Sequence, residues 1–195
     1  MLTIYGDPIS GNCMKVRWVA ELLGVPFEWR DVDVVEGEAR TPAFLALNPA
    51  GKVPFVVLAD GRSLSESNAI ILHLADGSAL VPTDAFERAV MLQWLFWEQY
   101  SHEPYVAVRR FQIRYLGKTP EELDPRLLER GEAAFALMER RLGESAFMAC
   151  AAPTLADVSL LAYTRLAHEG GFDLAPFPRL RDWIARAEAA LGVSA

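Results

Sequence analysis

Residues 4–22, "IYGDPISGNCMKVRWVAEL", begin as an apolar strand, break on a Gly-Asp-Pro turn and enter a helix through Ser10, Gly11, Asn12 and Cys13. Met14, Val16, Val19, Leu22 and Leu23 recur at the spacing of one helical face, so a buried helix is expected over 12–23, closed by Gly24. Outward from there, "LTIY" (2–5) is the strand itself, and "PFEWRDVDV" (26–34) alternates as a second strand would. "TPAFLALN" (41–48) predicts a short helix with Thr41 as cap and Pro42 at the first helical position, ended by Asn48-Pro49. "KVPFVVLADGRSL" (52–64) reads as two strands joined by an Ala-Asp-Gly turn, and Ser65 is expected to start a helix through "ESNAIILHLA". A mixed sheet with helices packed on it is the economical solution to this β-α-β-α-β-β-α order.

"DGSALVPTDA" (76–85) has the composition of a loop, and beyond it strand signals nearly vanish. Helices are expected from Phe86 to about Leu116, from Pro125 to Leu142, from Thr154, and after Pro178, so a domain boundary falls in that loop. Thr154 with Asp157 three residues on is the one clear cap in this half, the acidic form of a capping box, and it reads as a folding signal without chemistry.

The 195 residues are 52% hydrophobic and 23% charged, the balance of an ordinary globular protein. A formal net charge of -7 argues against a nucleic-acid partner, because phosphate binding needs a clustered basic face. No apolar run approaches the ~20 residues of a membrane span, and the N-terminus enters a strand without a signal-peptide pattern. A cytoplasmic protein with no membrane partner is therefore expected. Cys13 and Cys150 are far apart and belong to no CxxC or Cys/His cluster, so neither a disulfide framework nor a metal site is expected.

A helix start directly after a strand presents unpaired N–H groups and a positive dipole end, and so favours an anion. If the anion is a thiolate, the site lowers the thiol pKa; two units of lowering require about 2.7 kcal/mol. Ser10 at that start can donate its O–H to such an anion, or serve simply as the helix N-cap. Val53-Pro54 puts a proline at the opening of a central strand. A cis bond there would leave the N–H and C=O of Val53 open to an extended peptide, whereas a trans bond would mark an edge strand. "SLSESNAIILHLA" (63–75) adds Glu66 and Ser67 at a second helix start, able to hold a ligand ammonium and carboxylate or to complement the helix dipole.

In this order and spacing, "YGDPISGNCMKVR", "NPAGKVPFVVLADG", "SLSESNAIILHLA" and "APTLADVSL" resemble a cytosolic-type glutathione transferase of the bacterial, theta-like kind, over nearly the whole chain. The resemblance implies an α/β thioredoxin-like N-terminal domain (1–76), a linker (77–85) and an all-α C-terminal helical domain (86–195). It also implies a homodimer, with the active site between the domains and near the partner subunit. By position, Ser10 resembles the serine that hydrogen-bonds the glutathione sulfur. Val53, before cis-Pro54, resembles the residue whose backbone pairs with the cysteinyl part, and Glu66 and Ser67 match the pair at the γ-glutamyl end. Lys52 and Arg40 match basic positions for the glycyl carboxylate. Asn12 either supports the thiolate or merely occupies the first helical turn. Glutathione is implied as co-substrate, with a hydrophobic electrophile as second substrate and no metal.

Two rivals to Ser10 stand on the same stretch. Tyr5 lies one residue before the position of the tyrosine used by other branches of the family, and that offset turns its side chain to the opposite face, so packing is expected. Cys13 lies one turn into the helix, where a free cysteine is usually buried and inert. His102, beside Pro104, could line a substrate cleft or fill a kink. Tyr105, Arg109 and Phe111 are expected to border the electrophile pocket with it, while "WLFWEQY" (94–100) is assigned to core and dimer contact. The short stretch after the last predicted helix suggests an open pocket. Conjugation of glutathione to electrophiles is the leading expectation; glutathione-dependent disulfide or peroxide reduction, and a binding protein without turnover, are the alternatives.

Overall fold

On the first strand, β1 (Leu2–Gly6), Leu2, Ile4 and Gly6 are buried and Thr3 and Tyr5 alternate with them. The structure, a computed structural model, describes residues 1–193. β1 pairs in parallel with β2 (Phe27–Asp31) and antiparallel with β3 (Phe55–Val57), which pairs antiparallel with β4 (Ser63–Ser65). The spatial order is β2-β1-β3-β4, the mixed sheet expected from the sequence.

The two faces of β1 receive different partners. Tyr5 joins Phe44 and Phe55, with ring centroids 5.9–6.4 Å apart, in a cluster with Val32 and Ala39 under α2 (Pro42–Leu47). Gly6 faces the other way, toward α1 (Gly11–Leu22): a Cβ there would come 3.2 Å from the Cys13 Cβ and 2.6 Å from the Trp29 ring. Tyr5 is therefore packing, as strand phase requires. α3 (Ser67–Leu74) begins two residues later than expected, because Ser65 is the last residue of β4, paired with Phe55. The buried face of α1 is also rotated from the expected one. Cys13, Lys15, Val16, Val19 and Ala20 are buried, while Leu22 is 43% exposed.

The chain divides into two compact units, 1–78 and 79–195. The second is helical: α4 (Ala85–Trp97), α5 (Glu103–Arg114), α6 (Pro125–Arg141), α7 (Leu155–Thr164) and α8 (Pro178–Leu191). The expected single helix from Phe86 is in fact α4 and α5 joined by a wide π-type turn over Glu98–His102, with Pro104 in the first turn of α5. Asp84 and Asp124 cap α4 and α6, so the Thr154–Asp157 box is one of several caps. It does close α7 as expected. Among the described residues no helix is long and apolar enough to cross a membrane.

Candidate active site

Two backbone turns aim the start of α1. The Asp7 carbonyl accepts the Ser10 N–H at 3.0 Å, and its buried carboxylate accepts Ile9 N–H (3.0 Å) and Val34 N–H (2.9 Å). Ser10, half-buried with extended φ -84°, then caps α1, its Oγ accepting the Cys13 N–H at 3.4 Å. A hydroxyl that accepts in this way keeps an O–H to donate, so cap and thiolate donor are compatible roles. The Cys13 thiol is fully enclosed, and burial pushes its pKa up to about 11 against the downward pull of a Ser10 hydrogen bond. It stays neutral and hidden at ordinary pH.

The Val53-Pro54 bond is cis. Ladder pairing begins at Phe55, and the N–H and C=O of the half-buried Val53 make no hydrogen bond among the described residues. The buried Asn48 shapes the preceding loop, donating to Lys52 C=O at 2.8 Å and accepting Ala50 N–H at 3.2 Å. Exposed Arg40 reaches Ala50 C=O at 3.4 Å across Gly51, where φ of 57° and the Ala39 carbonyl oxygen 3.0 Å from any Cβ favour glycine. Lys52 projects from the same loop and is exposed.

Glu66, exposed, has φ 68° and ψ 112°, the positive-φ non-glycine conformation among the described residues. Such a conformation costs about 1–3 kcal/mol, and its clustering at ligand sites makes Glu66 a functional candidate. Ser67 follows as the first residue of α3 and is buried. Its Oγ donates to Asn12 Oδ1 at 3.2 Å, the same oxygen that Lys15 Nζ reaches at 2.7 Å. This fastens the start of α3 to the start of α1, so two positive helix ends meet at Asn12.

The residues expected at the electrophile pocket lie in the helical unit. His102 is fully buried in the π-type turn, its Nε2 3.0 Å from Thr164 Oγ1 and its ring packed against Trp97 and Phe135. Arg109, also buried, donates to Gly170 C=O at 2.8 Å and lies over Phe172. Both are core braces rather than open lining. Tyr105 and Phe111 are half-buried, and Phe111 packs on Tyr115 at 5.8 Å.

Sequence reasoning missed Lys15 and Asp7. Lys15 looks like a solvated helix charge, yet it falls one turn after Gly11 and one turn before Val19, both buried, so helical phase was the available signal. Among the described residues no group of three or more His, Cys, Asp or Glu side chains is placed to hold a metal ion.

Comparison with known proteins places this arrangement. Residues 9–76 match the family model described as "Glutathione S-transferase, N-terminal domain", and residues 125–186 match "Glutathione S-transferase, C-terminal domain". A glutathione S-transferase structure from Pseudomonas fluorescens superposes with a TM-score of 0.93 at 45% identity, over 96% of this chain and 94% of that one. Human glutathione S-transferase theta-1 is 32% identical, over 98% of this chain and 84% of its own. Glutathione S-transferase 2 of Anopheles gambiae is likewise 32% identical, over 94% and 88%. The thioredoxin-like N-terminal sheet, the helical C-terminal part and these relatives agree: the chain belongs to the glutathione S-transferase family.

Proposed function

We propose that the protein conjugates reduced glutathione to hydrophobic electrophiles, using residues 1–76 as the glutathione-binding domain, 77–85 as linker and 86–195 as the helical domain. The observation that carries this reading is the Ser67–Asn12 bond, which joins two helix starts into one anion-favouring place beside Ser10 and Glu66. Glutathione carries a carboxylate at each end, an ammonium at the glutamyl end and a thiol between them, and groups of complementary charge or hydrogen bonding are distributed to match. The γ-glutamyl end meets Glu66 and Ser67, the cysteinyl amide pairs with the open N–H and C=O of Val53, and Arg40 and Lys52 attract the glycyl carboxylate.

Ser10 then faces the sulfur. An anionic thiolate is a stronger acceptor than the neutral Cys13 thiol, so the Ser10 O–H turns to it when glutathione is bound. Together with the α1 dipole this favours S⁻ over S–H, and the thiolate attacks an electrophilic carbon: the S–C bond forms as the leaving group departs with its electron pair. Holding both reactants supplies the remaining acceleration. Asn12 supports Ser67 rather than merely filling the first turn. The protein acts as a homodimer in the cytoplasm in this reading.

Titration of the thiolate ultraviolet absorbance of bound glutathione tests the role of Ser10. Ser10→Ala should raise the apparent pKa by about one unit, corresponding to ~1.4 kcal/mol, the α1 dipole keeping the rest, with activity recovering at high pH. An unchanged titration would remove Ser10 from the mechanism. Assay of an aryl halide beside a small disulfide separates conjugation from reduction, and calorimetry without a glutathione signal would point to a binding protein for another ligand.

A further inference from the structure

Lys15 is one of the largest side chains enclosed completely in this protein. Placing an ammonium in the interior costs several kcal/mol unless its hydrogen bonds and charge are answered there, so a lysine is a poor choice for mere filling. Its Nζ donates at 2.7 Å to Asn12 Oδ1, which also accepts Ser67 Oγ at 3.2 Å. Two donors on one oxygen determine which end of the Asn12 amide is which, and hold the Ser67 hydroxyl at the first residue of α3. The charge reaches the start of α1, where it adds to the Ser10 and Asp7 hydrogen bonds in pulling the Cys13 thiol pKa down, as the smallest of the three. Helix-start dipoles amount to about half a charge each, so a full positive charge on Asn12 about doubles the positive charge gathered at the two starts.

We infer that Lys15 is a positioning residue for glutathione, acting through Asn12 to hold Ser67 and supplying the fixed positive charge that retains the γ-glutamyl carboxylate at the joined starts of α1 and α3. This rests on the glutathione-binding reading above. The inference assigns Lys15 to the glutamyl end rather than to the sulfur, and that choice has a distinct signature. Loss of its charge weakens glutathione and S-methylglutathione, which has no ionisable thiol, by the same factor. KM for glutathione rises while kcat at saturation holds.

Calorimetry of wild type and Lys15→Met with both ligands decides it. About tenfold weaker binding of each is expected, the loss of one charge-assisted contact. Asn12→Ala should weaken binding too, and the double variant should lose less than the sum of the two single losses, because part of the Lys15 effect runs through Asn12. Equal affinity of wild type and Lys15→Met, or losses that simply add, would overturn the role of Lys15 while leaving glutathione binding intact. Wild type that binds neither ligand would instead overturn the functional reading and this inference with it. Should Lys15→Met fail to fold by circular dichroism, the ¹⁵Nζ resonance of Lys15 in wild type serves the same purpose. It should shift on adding S-methylglutathione, and an unmoved signal would sink the assignment.

Discussion

Ser10 and Cys13 are three residues apart at one helix start, and the fold treats their side chains in opposite ways. Ser10 remains half-buried with a donor to offer, whereas Cys13 is packed at full burial and its thiol is pushed up to about 11. In the native protein a neutral-pH thiol reagent should therefore label Cys150, which is partly accessible, and leave Cys13 silent until denaturant is added. The same burial has a pH consequence. A folded pKa above the unfolded value of 9.0 means that the neutral thiol stabilises the fold fully below that value. The contribution is lost as pH rises toward about 11, a loss of about 3 kcal/mol for a two-unit shift. Urea denaturation of wild type and Cys13→Ala across that window checks it: the variant should show the flatter decline. Glu66 illustrates the opposite limit, an exposed residue whose φ of 68° no packing need explains.

At the scale of elements, α7 shows how a short motif becomes a structural junction. Thr154 and Asp157 form the capping box that sequence spacing announces, but Asp157 does more than close the helix. Its Oδ1 accepts Met148 N–H and Trp183 Nε1–H, each at 2.9 Å, and its Oδ2 accepts Thr154 N–H and Oγ1–H. The carboxyl thus joins the loop before α7, the start of α7 and the fully buried Trp183 of α8. Burial, the leading influence, pushes its pKa up, against the four donors that pull it down. Asp157→Ala would strand those donors out of water and should cost about 3 kcal/mol or more in denaturant unfolding. A loss below 1 kcal/mol would mean that water or neighbouring groups take over its role. Trp183→Phe, which removes one of the four donors and leaves a small cavity in a fully buried site, should cost less than Asp157→Ala and more than about 1 kcal/mol.

For the molecule as a whole, the expected homodimer is tested by sedimentation velocity over a range of concentrations. A species of twice the 21.6 kDa chain mass is expected throughout, and a monomer at all concentrations would rule the dimer out. The pH at which glutathione turnover declines should meanwhile follow the thiolate titration in wild type and move with it in Ser10→Ala. Independence of the two would show that a step other than thiol ionisation limits the rate.

Alternation in β1, the Thr41-Pro42 start of α2, the Ala-Asp-Gly hairpin and the Thr154 cap were all legible as sequence, because each is decided by a residue and its near neighbours. Ser10, Val53-Pro54 and Glu66-Ser67 stand out in the sequence for the same reason, as local patterns that resemble those of a known site. Helical phase could place Lys15 on a buried face, but its meeting with Asn12 and Ser67 depends on α3 being brought against α1, a contact spanning 55 positions from Asn12 to Ser67. Likewise the Leu22 side chain kept its apolar character and lost its expected place, because the sheet selected another stripe of α1. The full burial of His102 also depends on Thr164, Trp97 and Phe135, of which Thr164 is 62 positions away. Local backbone preference and hydrophobic period thus determined the elements. Only the tertiary structure decided which faces meet, because packing and desolvation are set by distant groups that no short window contains.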